Sequence, residues 1–298
     1  MKRLLEEYAT EEEHASLKKY NTYRIEGKAK YLVSPNSITD LANVIKVLKD
    51  NNVKFIVLGN GSNIVLNDKE YDGAIIKLDK LNGIEVNPKM HMAYAEAGAM
   101  LPKLAQQSID QELTGLEFAI SIPGTIGGSI YGNAGAYNSC ILDYVESVTV
   151  MDENYDVRVI EHEDITYSYR HSMFKEQKNL IILGAKFFLK EGDKENSLAI
   201  IEDRKQRRIA TQPLEYPSAG SVFRNPEGDF AGRLIEFCQL KGYTIGGAQV
   251  SEKHANFIVN IGNATGEDVY KLIKYVHDTV LEKTNIDLII EQEFIDWE

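Results

Sequence analysis

Apolar positions first fall into a helical rhythm in "SITDLANVIKVLKDNN", where Leu41, Val44, Ile45 and Leu48 share one face and Ser37 stands where an N-cap belongs. The run "VKFIVLG" that follows reads as a buried strand, and "NIVLND" and "GAIIKL" as further short strands between turn residues. A short helix is predicted around Leu101 to Gln107, ahead of a glycine-dense loop that reaches Gly135. "ESVTVMDENYDVRVI" has the pattern of a hairpin turning near Asp152 to Asp156, and "NLIILGAKFFL" that of another strand.

The polar stretch "KEGDKENS" leads into the helix "LAIIEDRKQRRIA", which must stop before Pro213. "DFAGRLIEFCQLKG" is a second helix, with Gly242 expected as its C-cap, and "SEKHANFIVN" a turn and strand. The strongest periodicity is in "TGEDVYKLIKYVHDTVLEKTN": Thr265 and Asp268 suit a capping box, and Val269, Leu272, Ile273, Val276, Val280 and Leu281 form the expected buried stripe. "IDLIIEQEFI" predicts a last strand. The class is α+β, strand-rich and glycine-rich first, then a smaller part with long helices.

Composition narrows the function. The chain has 298 residues, enough for two or three domains, with 43% hydrophobic and 26% charged residues, the balance of a soluble globular protein. No apolar run approaches the length of a membrane span, and "MKRLLEEYATEEEH" lacks the apolar stretch and cleavage site of a signal peptide. Cys140 and Cys238 form neither a disulfide framework nor a metal spacing, so a reducing, cytoplasmic setting and no metal are expected. A net charge of −12 argues against nucleic-acid or anionic-membrane partners, while leaving room for a local pocket for a small anion. Oligomeric state is not written in these residues, which are compatible with a monomer.

Two glycine loops carry the candidate chemistry. In "VLGNGSNIVLND" the glycines of a dinucleotide fingerprint begin, but Ile64 stands at the third position and a strand follows where a helix is required. No glycine loop is followed by Lys-Ser/Thr, so there is no P-loop. A strand–turn–strand with Gly59 and Gly61 can still curl successive N–H groups into an anion-binding concavity, with Ser62 and Asn63 adding donors; taken alone, it reads first as an ordinary tight turn. The second loop, "GLEFAISIPGTIGGSIYGNAGAYN", interleaves six glycines with Phe118, Ile120, Ile122, Pro123, Ile126, Ile130 and Tyr131 and has almost no charge. Glycine at that density is costly unless backbone must approach something closely. Such a loop suits a flat, partly apolar ligand with phosphates, a description that a flavin dinucleotide meets.

"GNGSN" followed by "IPGTIGGSIYGNAGAY" resembles the UDP-N-acetylenolpyruvoylglucosamine reductase family, and the likeness extends in order through "NTYRIEGKAKYLV", "YSYRHSMFK", "PSAGSVFRNP", "AGRLIE", "LKG" and "HANFIVN". The resemblance implies a two-subdomain FAD-binding fold of the vanillyl-alcohol oxidase/p-cresol methylhydroxylase type plus a C-terminal α+β substrate-binding domain. Boundaries follow at 1–85, 86–195 and 196–298, with the last strand, about 287–298, returning toward the flavin site. It implies NADPH-dependent reduction of UDP-N-acetylglucosamine enolpyruvate to UDP-N-acetylmuramate for peptidoglycan. FAD would be held by Gly59, Asn60, Gly61, Ser62, Asn63, Ile122, Pro123, Gly124, Thr125, Gly127, Gly128, Gly132, Asn133, Ala134 and Gly135. It would be non-covalent, since no histidine or cysteine stands in these loops in an attachment context.

The reaction leaves negative charge beside the substrate carboxylate and needs a proton at C2. By resemblance, Arg170 in "YSYRHSMF" would hold that carboxylate, Ser221 in "SAGSVFRNP" would give the proton, and Glu291 in "LIIEQEFI" would share in stabilising the enolate. Strand alternation puts Glu293 on the same face as Glu291, and it is the family pattern that selects Glu291. The chain departs from that pattern here, with Ile289 and Ile290 in place of Glu-Pro and Glu293 in place of a basic residue. Asn225, Asn256 and Arg224 match substrate-binding positions. His254 is read as a capping or hydrogen-bonding residue, and Arg204, Lys205, Arg207 and Arg208 as a solvated helix face. The short spacing between Arg170 and Ser221 implies the type without a tyrosine-bearing loop. Two other functions fit the flavin reading: an oxidase of the same superfamily acting on an alcohol or sugar, and a non-catalytic nucleotide-sugar or flavin sensor.

Overall fold

The computed structural model describes residues 1–297. The chain runs through β1 (Ala9–Ser16), β2 (Lys28–Pro35), α1 (Ile38–Asp50), β3 (Phe55–Leu58), β4 (Ile64–Leu66), β5 (Glu70–Lys77), β6 (Ile84–Asn87), β7 (Met92–Glu96), α2 (Leu101–Asp110), α3 (Ile126–Tyr131), β8 (Val145–Met151), β9 (Val157–Glu161) and β10 (Ile181–Phe188). It continues through α4 (Lys194–Thr211), α5 (Ala231–Phe237), β11 (Thr244–Ile245), β12 (Ala248–Val250), β13 (Ile258–Asn260), α6 (Gly266–Thr284) and β14 (Glu293–Ile295). Two compact units result, one of residues 1–13, 31–60 and 73–205, the other of 14–30, 61–72 and 206–298.

In the first unit β3 pairs in parallel with β5, Leu58 opposite Lys77, within a sheet of order β1-β2-β5-β3. Every residue from Gly73 to Leu78 is buried, which is why "GAIIKL" reads as a continuous run and not as an alternation. Helix α1 covers its apolar stripe with Leu41, Val44, Ile45 and Leu48 buried, and Ser37 Oγ accepts from the Asp40 N–H at 3.0 Å. An antiparallel sheet of order β9-β8-β10-β7-β6 completes the unit. Val148, Val150, Leu183, Ala185 and Phe187 enter the core that α2 and α3 also line.

In the second unit α6 packs on the antiparallel sheet β11-β12-β13. Its capping box forms as expected: Thr265 accepts from Asp268 N, Asp268 accepts from Thr265 N, and Asn285 closes the helix in the left-handed region. Three expectations change. Leu281 is 38% exposed, so the buried stripe ends at Val280. Helix α5 stops at Phe237 with Cys238 as its cap and Gln239 at φ 62°; Gly242, at φ 79°, belongs to the turn leading to β11. The terminal segment is no single strand, because Ile290 makes only a bridge to Phe223 while β14 pairs in parallel with β4, Glu293 opposite Ile64. The segment changes partner between those two contacts, and Gln292, buried at the change, is fixed by side-chain bonds. The basic face of α4 is exposed at Lys205 and Arg207 as expected, while the Arg204 guanidinium lies 4.5 Å above the Tyr137 ring.

Candidate active site

In the first unit the two glycine loops meet. Asn60 Nδ2 donates to Pro123 O at 2.7 Å, and a Cβ on Gly59 would fall 2.7 Å from Thr125 Oγ1 and 3.7 Å from Gly128 Cα. Gly59 is therefore glycine because the second loop occupies the space of a side chain. Within that second loop the glycines serve the same end. Gly127 packs on Ala97, and Gly135 on Ser139 and Cys140.

Most of the loop's own N–H groups are engaged, contrary to the exposed donors expected of it. Ile126 and Gly127 donate to Ala99 O and Ala97 O, Gly128 to Thr125 Oγ1, and Gly132, Asn133 and Ala134 to Gly128 O, Ile130 O and Ser129 O. Thr125 keeps its N–H open, and further open donors lie in the first turn. Among the described residues the backbone N–H of Asn60 meets no acceptor in the chain. Beneath it the buried Lys77 ammonium donates to Gly59 O, and burial lowers this amine to about 8 against the opposing pull of Asp79.

Arg170 belongs to the same unit. Tyr167–Ser168 and His171–Ser172 pair around a two-residue turn of Tyr169 and Arg170. Arg170 sits there at φ 58°, a position that favours glycine or asparagine and costs other residues about 1–2 kcal/mol. Its Nη2 donates to Gly135 O at 2.7 Å, so the glycine loop holds the guanidinium. Asn133, 1% exposed, braces the turn by donating to Ser168 O at 2.9 Å.

In the second unit the segment 221–224 runs between two others. Ser221 bridges Phe257 and Phe223 bridges Ile290; Glu291 N donates to Val222 O at 2.8 Å, beside Ser221. Ser221 and Glu291 are thus brought together from positions seventy residues apart. Asn256, 4% exposed, accepts from Phe223 N at 3.0 Å and donates to Phe223 O at 2.8 Å, so both ends of its amide clasp the serine segment. Gln292 accepts from Tyr23 Oη at 3.0 Å and donates to Ala219 O at 3.2 Å, and burial of that phenol raises its pKa. Asn63 donates to Glu291 O at 3.1 Å. Asn225 Oδ1 accepts from Ala231 N at the start of α5, and Arg224 Nε is buried with no partner among the described residues. His254 packs its ring 4.7 Å from Phe257, and burial lowers its pKa. The hydrogen bonds there are made by its backbone, N–H to Ser251 Oγ and C=O from Phe257 N.

This arrangement has relatives. Residues 29–160 match the family described as FAD binding domain, and 212–295 that described as UDP-N-acetylenolpyruvoylglucosamine reductase, C-terminal domain. The UDP-N-acetylenolpyruvoylglucosamine reductase of Caldicellulosiruptor bescii is 46% identical over 94% of this chain and 88% of its own length. That of Clostridium perfringens is 38% identical over 98% of this chain and 96% of its own. The chain belongs to the UDP-N-acetylenolpyruvoylglucosamine reductase family. The crystal structure of the Thermus caldophilus reductase, 31% identical, superposes with a TM-score of 0.80 over 96% of this chain and 98% of that one. The protein is accordingly an FAD-containing oxidoreductase with a role in cell-wall synthesis.

As a member of this reductase family, its first unit suits FAD. The Gly59–Asn60 turn offers an open N–H, as a phosphate approaching along the backbone requires. Sequence reasoning missed Lys77, Gln292 and the clasping role of Asn256. Lys77 left one signal, a lone charge inside an apolar strand.

Proposed function

We propose that the protein reduces UDP-N-acetylglucosamine enolpyruvate to UDP-N-acetylmuramate with NADPH as hydride donor, in the cytoplasm, and that Ser221, Arg170 and Glu291 do the chemistry. FAD, held by the glycine loops, would supply the redox chemistry that carries a hydride from NADPH to C3 of the enolpyruvyl group. Charge then develops at C2 and spreads into the carboxylate. Arg170 answers that charge with a guanidinium that can fork onto two oxygens. Ser221 gives the proton to C2, and solvent restores it. Glu291 shares in holding the enolate, in which role it acts protonated or through a bridging donor. Arg224, with its unpartnered buried Nε, and Asn225 contact the nucleotide-sugar.

The observation that carries this reading is the pairing of the Ser221 segment with Glu291 and its clasp by Asn256, in a chain of this family. A hydroxyl is a poor acid in water and becomes useful only when its backbone is held. The test separates half-reactions. Without air, NADPH should bleach the flavin of wild type, and the enolpyruvyl substrate should restore its colour. In Ser221→Ala bleaching should persist while recovery slows by about a hundred-fold or more. Normal recovery would remove Ser221 from its role. Recovery with oxygen alone would point to an oxidase, and absence of bleaching to a sensor.

A further inference from the structure

We infer that Lys77 is a positioning residue for the cofactor: its buried ammonium fixes the Gly59–Asn60 peptide and lends positive charge to the phosphate-binding turn, making FAD affinity depend on pH. The inference rests on the reading that this turn takes the FAD pyrophosphate. Lys77 ends β5 and is 7% exposed, yet its Nζ donates to Gly59 O. A lysine so placed is costly unless its charge is paired and hydrogen-bonded. In a trans peptide the C=O and the next N–H point opposite ways, and the described chain has no cis peptide. Holding Gly59 O down onto Lys77 therefore turns the Asn60 N–H outward, where it meets no acceptor in the chain. Asn60 cannot swing away, because its side chain is tied to Pro123 O.

The charges around Lys77 are few. Strand β3 brings no titratable side chain and α3 only Tyr131. Strand β2 carries Lys28, Lys30 and Tyr31, of which Lys30 pairs with Asp72 at 2.8 Å. Beyond β5, the Lys80 ammonium is engaged by Thr10 and Asn36, and Asp79 opposes the effect of burial on Lys77. With the amine at about 8, a diphosphate bound above the turn raises it, so binding takes up a proton at alkaline pH.

The sign follows. Affinity is full where the free protein already carries the charge and falls as pH rises through about 8, by about ten-fold between pH 7 and pH 9 if the bound value lies well above 9. The experiment titrates the flavin-free protein with FAD across that range, by quenching of flavin fluorescence and by calorimetry in two buffers of different protonation heat. The expected result is about half a proton taken up per FAD near pH 8. Lys77→Met should bind FAD more than about ten-fold more weakly at pH 7, the loss that full deprotonation brings in wild type, and show no alkaline slope. Wild-type binding with neither slope nor proton uptake would overturn the inference whatever the fate of the variant, and so would a slope that survives in Lys77→Met. Failure of FAD to bind wild type at every pH would instead sink the reading of the turn on which the inference stands.

Discussion

Asn256 offers the sharpest test of the second unit, because the family pattern and the geometry assign it different work. A substrate contact would leave its amide facing a ligand. Here the side chain is 4% exposed, and both its polar atoms are bonded to the backbone of Phe223, itself 2% exposed. Asn256→Leu keeps the volume and leaves a buried N–H and a buried C=O without partners. Each orphan costs about 1–3 kcal/mol, so the pair amounts to about 2–6 kcal/mol. That is a large share of the stability of an ordinary domain, about 5–15 kcal/mol. A loss of about 3 kcal/mol should lower the melting temperature by about 6–12 °C. Urea unfolding and thermal scans should register it together with loss of flavin reoxidation by the enolpyruvyl substrate, since the Ser221 segment loses its hold. NADPH bleaching, which draws on the flavin, should survive at temperatures where the variant stays folded. A variant as stable as wild type that only needs more substrate would refute the clasp and return Asn256 to the ligand.

Other perturbations check neighbouring steps. Gly59→Ala should weaken FAD binding, measured by flavin retention on dialysis, because its methyl would stand 2.7 Å from Thr125 Oγ1; adding Thr125→Ala should restore part of the loss despite removing an N-cap worth about 1 kcal/mol. Arg170→Gly relieves a left-handed residue and should unfold about 1 kcal/mol later in urea, yet reoxidize with substrate at least a hundred-fold more slowly; equal rates would clear Arg170 of chemistry. His277 bonds Asp278 and Asp287 at 2.8 Å each, and the bond to Asp278, then that to Asp287, raises its pKa above the ordinary 6.5. Its stabilising contribution is therefore complete below about 6.5 and lost as pH rises through the folded value. Urea midpoints should fall over that rise in wild type and change less in His277→Gln.

The elements that local chemistry decides could be read in advance. Helix α6 carries its own start signal in Thr265 and Asp268 and its own stop in Asn285, and α1 has Ser37. The last strand failed as a single element because β pairing is decided by partners elsewhere. Nothing in "IDLIIEQEFI" says that Ile290 will meet Phe223 while Glu293 meets Ile64. Gly242 failed as a cap for a related reason: its positive φ is real, but a turn uses it five residues after the helix has ended at Phe237.

At the site, glycine density announced close approach and left its object open. A glycine is required equally where a ligand arrives and where another stretch of chain does. In the second loop most of the approach is by the chain itself, Gly127 on Ala97 and Gly135 on Ser139, and most of its N–H groups are closed by internal bonds. The first turn keeps its outward N–H, and it does so because Lys77, eighteen residues after Gly59, holds the carbonyl of the same peptide from below. Composition therefore pointed at the loop that builds the wall, while the donor that faces the ligand depends on a single buried charge in the neighbouring strand. The same holds in the second unit. Ser221 is legible only through resemblance, because what would make a serine an acid is the backbone geometry that Asn256 and the 289–291 segment impose, and neither is near it in the chain.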